Sequence, residues 1–182
     1  MKELSLNILD IAKNSTKANA EKVEILLEED TKTGFLTITI KDDGCGMSPE
    51  FLAKVSDPFT TTRTTRKVGL GLPLFKLAAE QAGGKFEIHS RQGVGTTVSA
   101  SFGLDNIDRM PVGDLPGTFV TLVQGDPEVR FILTCRVDDE DFVVDTDEVK
   151  EILEGVPITS PQVLVWLSGF VSESLSEIGF QN

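Results

Sequence analysis

The chain has 182 residues, enough for one domain with an appendage and for a sizeable buried core. Its 40% hydrophobic and 25% charged content is ordinary for a globular protein, and no apolar stretch reaches membrane-spanning length, so no membrane association is expected. A net charge of −12 argues against wrapping nucleic acid or docking on anionic lipid. Cys45 and Cys135 form no CxxC pair, and a single histidine is too few for a metal cluster. The acidic, early-broken start MKELSLNILD does not fit a signal peptide, which makes a reducing cytoplasm the expected compartment.

Residues 3–18 read as a helix, with Leu4, Ile8, Ile11 and Ser15 on a largely apolar face and Asn7, Asp10, Asn14 and Lys17 on a polar one. Runs 23–27 and 35–40, around a turn at 30–34, suggest a β-hairpin. Ser48-Pro49-Glu50 looks like a helix start, with Ser48 as N-cap and Pro49 at the first position. Residues 57–68 lack an apolar period and read as a loop. A third helix is expected over 71–82, ended by Gly83-Gly84. Runs 85–91 and 96–102 form a second hairpin across 92–95. The order predicts an α+β, two-layer sandwich: a mixed sheet with helices on one face, occupying 1–103. Residues 104–182 are set apart as a C-terminal α/β extension. It has a linker at 105–117, β-rich runs at 119–123 and 129–137, a further strand at 142–144, and helices at 147–153 and 161–178.

Three segments carry chemistry. On the first helix, Asp10 and Asn14 are four apart and point the same way. The amide oxygen of Asn14 suits Mg²⁺, Asp10 is placed to orient or deprotonate a water, and Lys17 reaches for a phosphate oxygen. Taken alone, this face reads rather as the wet side of an amphipathic helix. The second segment is Asp42-Asp43-Gly44-Cys45-Gly46-Met47, which follows a strand. A carboxylate there can accept from the exocyclic amine of a purine, and Gly44 and Gly46 let backbone approach the ring. A plain hairpin turn is the alternative. The third segment, Gly69-Leu70-Gly71-Leu72, opens a helix, whose N–H groups attract phosphate. Thr60, Thr61, Thr62, Arg63 and Lys67 lie just upstream with hydroxyls and positive charge.

In this order the segments resemble the ATP-binding (Bergerat) fold shared by gyrase, the large heat-shock chaperone ATPases, sensor histidine kinases and mismatch-repair ATPases. Asp10-x-x-x-Asn14-Ser15-x-Lys17 is similar to the N box, and residues 42–47 resemble the G1 box. Asp57-Pro58-Phe59-Thr60-Thr61-Thr62-Arg63 resembles the kinase F box and Gly69–Leu72 the G2 box. Gly93-Val94-Gly95-Thr96 resembles the closing hairpin. The resemblance covers about residues 1–103 and is closest to the histidine kinase-like domain. It implies ATP and Mg²⁺ as cofactors, with Asp42 as the adenine carboxylate, Thr96 supporting the adenine end, and Asn14 as metal ligand. Three departures stand out: Asp10 where hydrolytic members use Glu, Lys67 where a glycine is usual, and a short lid between Phe59 and Gly69.

Only residues 1–9 precede Asp10, so a phosphoacceptor-histidine hairpin is not expected there. His89, the one histidine, sits on a strand of the second hairpin and reads as structural. Two functions remain open. One is a stand-alone kinase module passing the γ-phosphate to a partner protein, as anti-sigma-factor kinases of this fold do. The other is a slow ATPase or nucleotide-dependent switch that regulates a partner. A homodimer is left open, a role with nucleic acid is disfavoured, and Trp166 is a candidate anchor for a buried cap or a docking surface.

Overall fold

The computed structural model describes residues 3–55 and 70–181. Six strands form one sheet in the order β3-β4-β2-β1-β5-β6. The first hairpin pairs β1 (Lys22–Asp30) with β2 (Phe35–Asp42), closed by a turn in which Asp30 accepts from the N–H groups of Lys32 and Thr33. On β1, Val23, Ile25, Leu27 and Glu29 face the core, the period-2 pattern of a half-buried strand. The second hairpin, β3 (Phe86–Arg91) with β4 (Gly95–Gly103), joins this sheet through antiparallel pairing of β4 on β2.

Helix α1 (Leu4–Lys17) buries Leu4, Ile8, Ile11, Ala12 and Ser15, spaced by three or four residues. Its first free N–H groups, on Leu4 and Ser5, donate to the carbonyls of Pro111 and Val112 at 2.9 and 2.8 Å. Ser48 caps the short α2 (Pro49–Val55), accepting from the Phe51 N–H at 3.3 Å. Helix α3 (Gly71–Gln81) inserts Phe75, whose ring meets Phe102 at 5.5 Å and the edge of Phe86 at 6.3 Å. Burying an aromatic of this kind contributes about 2–3 kcal/mol. Helices α1 and α3 pack together on the core face, while Thr37, Thr39, Thr97 and Ser99 occupy the opposite, polar face. The expected α+β sandwich is therefore present.

The chain beyond 103 departs from expectation at one element. Residues 119–123, read as a strand from their Phe, Val and Thr content, belong to helix α4 (Leu115–Gly125). Leu115, Thr118, Phe119, Leu122 and Val123 are buried at helical spacing, and the Asp114 carboxylate accepts from the Gly117 N–H at 2.8 Å as N-cap. The helical period and the cap outweigh the β-branched composition. The stretch before it, expected as a linker, supplies the carbonyls that cap α1, and Val112 is only 2% exposed.

The remaining elements follow their expected positions. Strand β5 (Arg130–Val137) pairs in parallel with β1, and β6 (Glu140–Asp145) lies antiparallel on its outer side. Phe131, Leu133 and Cys135 extend the core face. Helices α5 (Thr146–Ile152) and α6 (Pro161–Glu177) follow, with α6 packed on α4 and α4 on α1. Trp166 stacks on Phe170 at 5.5 Å on the outward side of α6.

Glu29 ends the core face of β1 at 2% exposure. Its carboxylate accepts from the Gln181 N–H at 3.1 Å, which ties the C-terminal residues to the sheet. Burial raises its pKa above the ordinary 4.5, against this hydrogen bond and the Arg109 charge, which lower it. The folded state thus holds the proton more tightly than the unfolded chain. The associated stability is fully present below pH 4.5 and is lost as pH rises through the folded value. Glu29→Gln is expected to raise the melting temperature above wild type at pH 7, with the gap closing below pH 4.5, as followed by circular dichroism.

Candidate functional site

Where the core face reaches the ends of β2, β3 and β4, its apolar rows give way to a polar one. Strand register sets Ile88 beside Val98 and Val98 beside Ile40, and at the end of the sheet Ser90 beside Thr96 and Thr96 beside Asp42. Helix α1 crosses above this row, and between them opens a cavity of about 710 Å³. Ile11, Val98, Phe51, Val55 and Leu72 line its apolar part. Asn14, Ser15, Lys17, Asp42 and Thr96 line its polar part, together with Ala18 and residues 45–47.

Asp42 is held from three directions. One carboxylate oxygen accepts from the Ser15 hydroxyl at 2.6 Å, and the other from the N–H groups of Gly44 at 2.9 Å and Thr96 at 3.2 Å. Each lone pair used this way is fixed in direction, so the carboxylate faces the cavity in one orientation. Next to it, the loop 43–48 is fastened to both neighbours. The Cys45 N–H donates to the Ala18 carbonyl at 2.9 Å, and the Gly93 N–H donates to the Cys45 carbonyl at 2.8 Å. Gly46 has φ +64°, and a Cβ there would stand 2.1 Å from the Arg91 carbonyl oxygen.

Asn14 and Lys17 reach the same cavity from α1, and the Asn14 side chain makes no hydrogen bond to a described residue. Among the described residues no cluster of three or more His, Cys, Asp or Glu side chains forms a metal site. A magnesium ion therefore fits here only as the chemistry of the donor set allows: one hard amide oxygen from Asn14, with the remaining oxygens from ligand and water. Asp10, one turn earlier, is exposed and lies against the start of α3, where a Cβ on Gly71 would be 3.2 Å from that of Asp10. Gly71 is the first residue of α3, and Leu70 before it is 70% exposed.

The structure thus brings together Asn14, Lys17, Asp42, Gly46, Met47, Leu72 and Thr96, with Gly44 bonded to Asp42 behind them. Asp10, Leu70 and Gly71 stand beside the cavity rather than in its lining. Phe59, Thr61, Thr62, Arg63, Lys67 and Gly69, together with the loop expected at 57–68, lie outside the described residues. Asn7, expected on the polar face, is fully buried, and its amide has no hydrogen-bond partner among them. Ser15, assigned to the apolar face, is a partner of Asp42. Ser90 was missed as well, although the hairpin register across 92–95 pairs it with Thr96. His89 is 77% exposed beside Glu87, away from the cavity.

A mixed sheet with helices on one face, and a cavity floored by a pinned carboxylate and walled by an Asn-bearing helix, are the marks of a histidine kinase-like ATP-binding domain. Residues 1–106 match the family described as Histidine kinase-, DNA gyrase B-, and HSP90-like ATPase, and the chain belongs to that family of ATP-binding domains. Histidine protein kinase DivJ of Caulobacter vibrioides is 33% identical over 96 residues, which covers 50% of this chain and 16% of that protein. Sensor protein SrrB of Staphylococcus aureus is 37% identical over 102 residues, 53% of this chain and 17% of its own length. The chain therefore spans less than a fifth of these curated relatives. In fold, the Aquifex aeolicus MutL ATPase domain complexed with ADP superposes with a TM-score of 0.56 at 17% identity, covering 85% of this chain and 70% of that one.

Gly46→Ala is expected to cost about 2 kcal/mol or more, since both the backbone conformation and the Arg91 carbonyl oppose a Cβ. Gly93→Ala, at φ +77° with open space around it, is expected to cost only about 1 kcal/mol. Urea unfolding of the two variants measures the difference.

Proposed function

We propose that this chain is an ATP- and Mg²⁺-dependent kinase module that transfers the γ-phosphate of ATP to a partner protein. The observation that carries the reading is the pinned Asp42 carboxylate on the floor of the cavity that Asn14 and Lys17 also line. In this reading the free acceptor capacity of Asp42 takes an N–H of the adenine amine, and Ile11, Val98 and Phe51 cover the ring. Lys17 and the N–H groups opening α3 at Leu70, Gly71 and Leu72 hold phosphate oxygens. Asn14 holds the magnesium ion, which when bound neutralises charge developing on the phosphates. Asp10 orients the attacking group. Thr61, Thr62, Arg63, Lys67, Gly69 and Phe59 belong to the same site by the sequence resemblance.

The kinases among the relatives support phosphoryl transfer, and the exposed position of His89 away from the cavity favours a partner as acceptor over His89 itself. Residues 1–103 act as the ATP-binding part and 104–182 as its extension. In this reading the module works in the cytoplasm. A slow ATPase or nucleotide switch is the second reading, favoured by one feature: the Asp10-to-Asn14 spacing with the Asn14-Ser15 pair resembles the mismatch-repair ATPases more than the kinases.

Incubation with γ-labelled ATP separates the two. Label on a co-purifying protein supports the kinase, and release of inorganic phosphate alone supports the ATPase. Asp42→Asn is expected to weaken ADP binding at least about tenfold by calorimetry, because a charge-assisted acceptor is lost. Asn14→Ala is expected to remove the magnesium-dependent part of the binding while retaining the magnesium-free part.

A further inference from the structure

The Ser90 hydroxyl has three neighbours within hydrogen-bond distance. It accepts from the Met47 N–H at 2.8 Å, and it lies 3.1 Å from the Gly95 carbonyl oxygen and 2.8 Å from the Thr96 hydroxyl oxygen. A hydroxyl has one proton and two lone pairs, and a carbonyl oxygen can only accept. The Gly95 contact is a hydrogen bond only when the Ser90 proton points at it. The remaining lone pair of Ser90 then receives the Thr96 proton, and all three contacts are satisfied at once. The reverse arrangement, with Ser90 donating to Thr96, leaves two oxygens facing each other at 3.1 Å without a proton between them. Proton counting therefore selects one direction.

That direction has a consequence in the cavity. Thr96 lines it, and its hydroxyl proton is spent on Ser90, so the oxygen presents lone pairs. The adjacent Asp42 carboxylate accepts the Ser15 hydroxyl's hydrogen bond and has no proton of its own to donate, so it is likewise an acceptor. The end of the cavity floor is thus an acceptor-only row, Thr96 beside Asp42, and it suits a group with two N–H bonds. We infer that Ser90, which touches no ligand itself, is the positioning residue that fixes Thr96 as an acceptor and so makes the site select 6-amino over 6-oxo purine nucleotides. The inference rests on the nucleotide reading above. A 6-oxo group would place a third acceptor against the two oxygens. Without Ser90, the Thr96 hydroxyl is free to turn and donate to it.

The test is titration of the full chain with ADP and with inosine diphosphate. For wild type the preference for ADP is expected to be large, and in Ser90→Ala the ratio of the two dissociation constants is expected to fall about tenfold, the worth of one hydrogen bond. Ser90→Thr, which keeps the hydroxyl, restores the ratio. A purely structural role for Ser90 predicts a lower melting temperature and equal weakening of both nucleotides. An unchanged ratio with tight ADP binding therefore overturns the inference alone. Should Ser90→Ala not fold, Thr96→Val serves: loss of the acceptor narrows the ratio, and a ratio that stays put overturns the inference. A wild-type chain that binds neither nucleotide overturns the nucleotide reading, and this inference with it.

Discussion

The site depends on one constraint: a carboxylate held at the point where the apolar core of the sheet meets solvent. Asp42 sits one row beyond Ile40, and its charge is tolerable there because a hydroxyl and two backbone N–H groups meet it. Each of those donors fixes another part of the fold. The Ser15 hydroxyl sets the height at which α1 crosses the sheet. The Gly44 N–H turns the chain directly after β2, and the Thr96 N–H sets the register of β4. Gly95 belongs to the same arrangement, since a Cβ there would come within 2.0 Å of the Asp42 carbonyl oxygen. A side chain at position 95 would push β4 from β2 and carry Thr96 away from the carboxylate.

The second half of the chain contributes to the site indirectly. Without β5, the edge of β1 would present unpaired N–H and C=O groups together with an open apolar face. Phe131, Leu133 and Cys135 extend that face, and burial pushes the Cys135 thiol up, so it behaves as a small apolar group rather than a nucleophile. Helix α4 then packs on α1, and the carbonyls of Pro111 and Val112 take the first N–H groups of α1. The helix that carries Asn14 and Lys17 is therefore braced at its N-terminus by residues more than ninety positions later in the chain.

Legibility in the sequence followed the range of the interactions. Both hairpins, α2, α3 and the last four elements are set by local period and turn residues, and they fall within three residues of their expected bounds. The motif residues Asn14, Asp42 and Thr96 were legible because their spacing survives in short segments. Helix α4 was not, because Phe119, Val120, Thr121 and Val123 have strand propensity while burial at 115, 119 and 122 follows the helical period. Ser15 and Ser90 escaped for a different reason. Each acts through a partner on another element, 27 residues away for Ser15 and across a hairpin for Ser90, and a single sequence does not display such pairs. Asn7 was misread for its polar type, since three residues after Leu4 and four before Ile11 its helical phase puts it beside the buried face.

The acidity of the chain bears on how a polyanion is held. A net charge of −12 gives a field that opposes an approaching triphosphate, so the favourable terms must be short-ranged. The described cations Lys22, Lys41, Arg130 and Arg136 are each engaged with a carboxylate: Glu24 for both lysines, Asp145 for Arg130 and Glu28 for Arg136. Lys17 is the described cation that lines the cavity. Screening at physiological salt acts over about 8 Å, which weakens the distant repulsion more than a contact made inside a cavity. The site can therefore favour an anion beside Lys17, away from the Asp42 floor, while the surface as a whole repels one. In the proposed reading, discrimination then falls to the hydrogen-bond directions of Asp42 and Thr96, which act at contact distance.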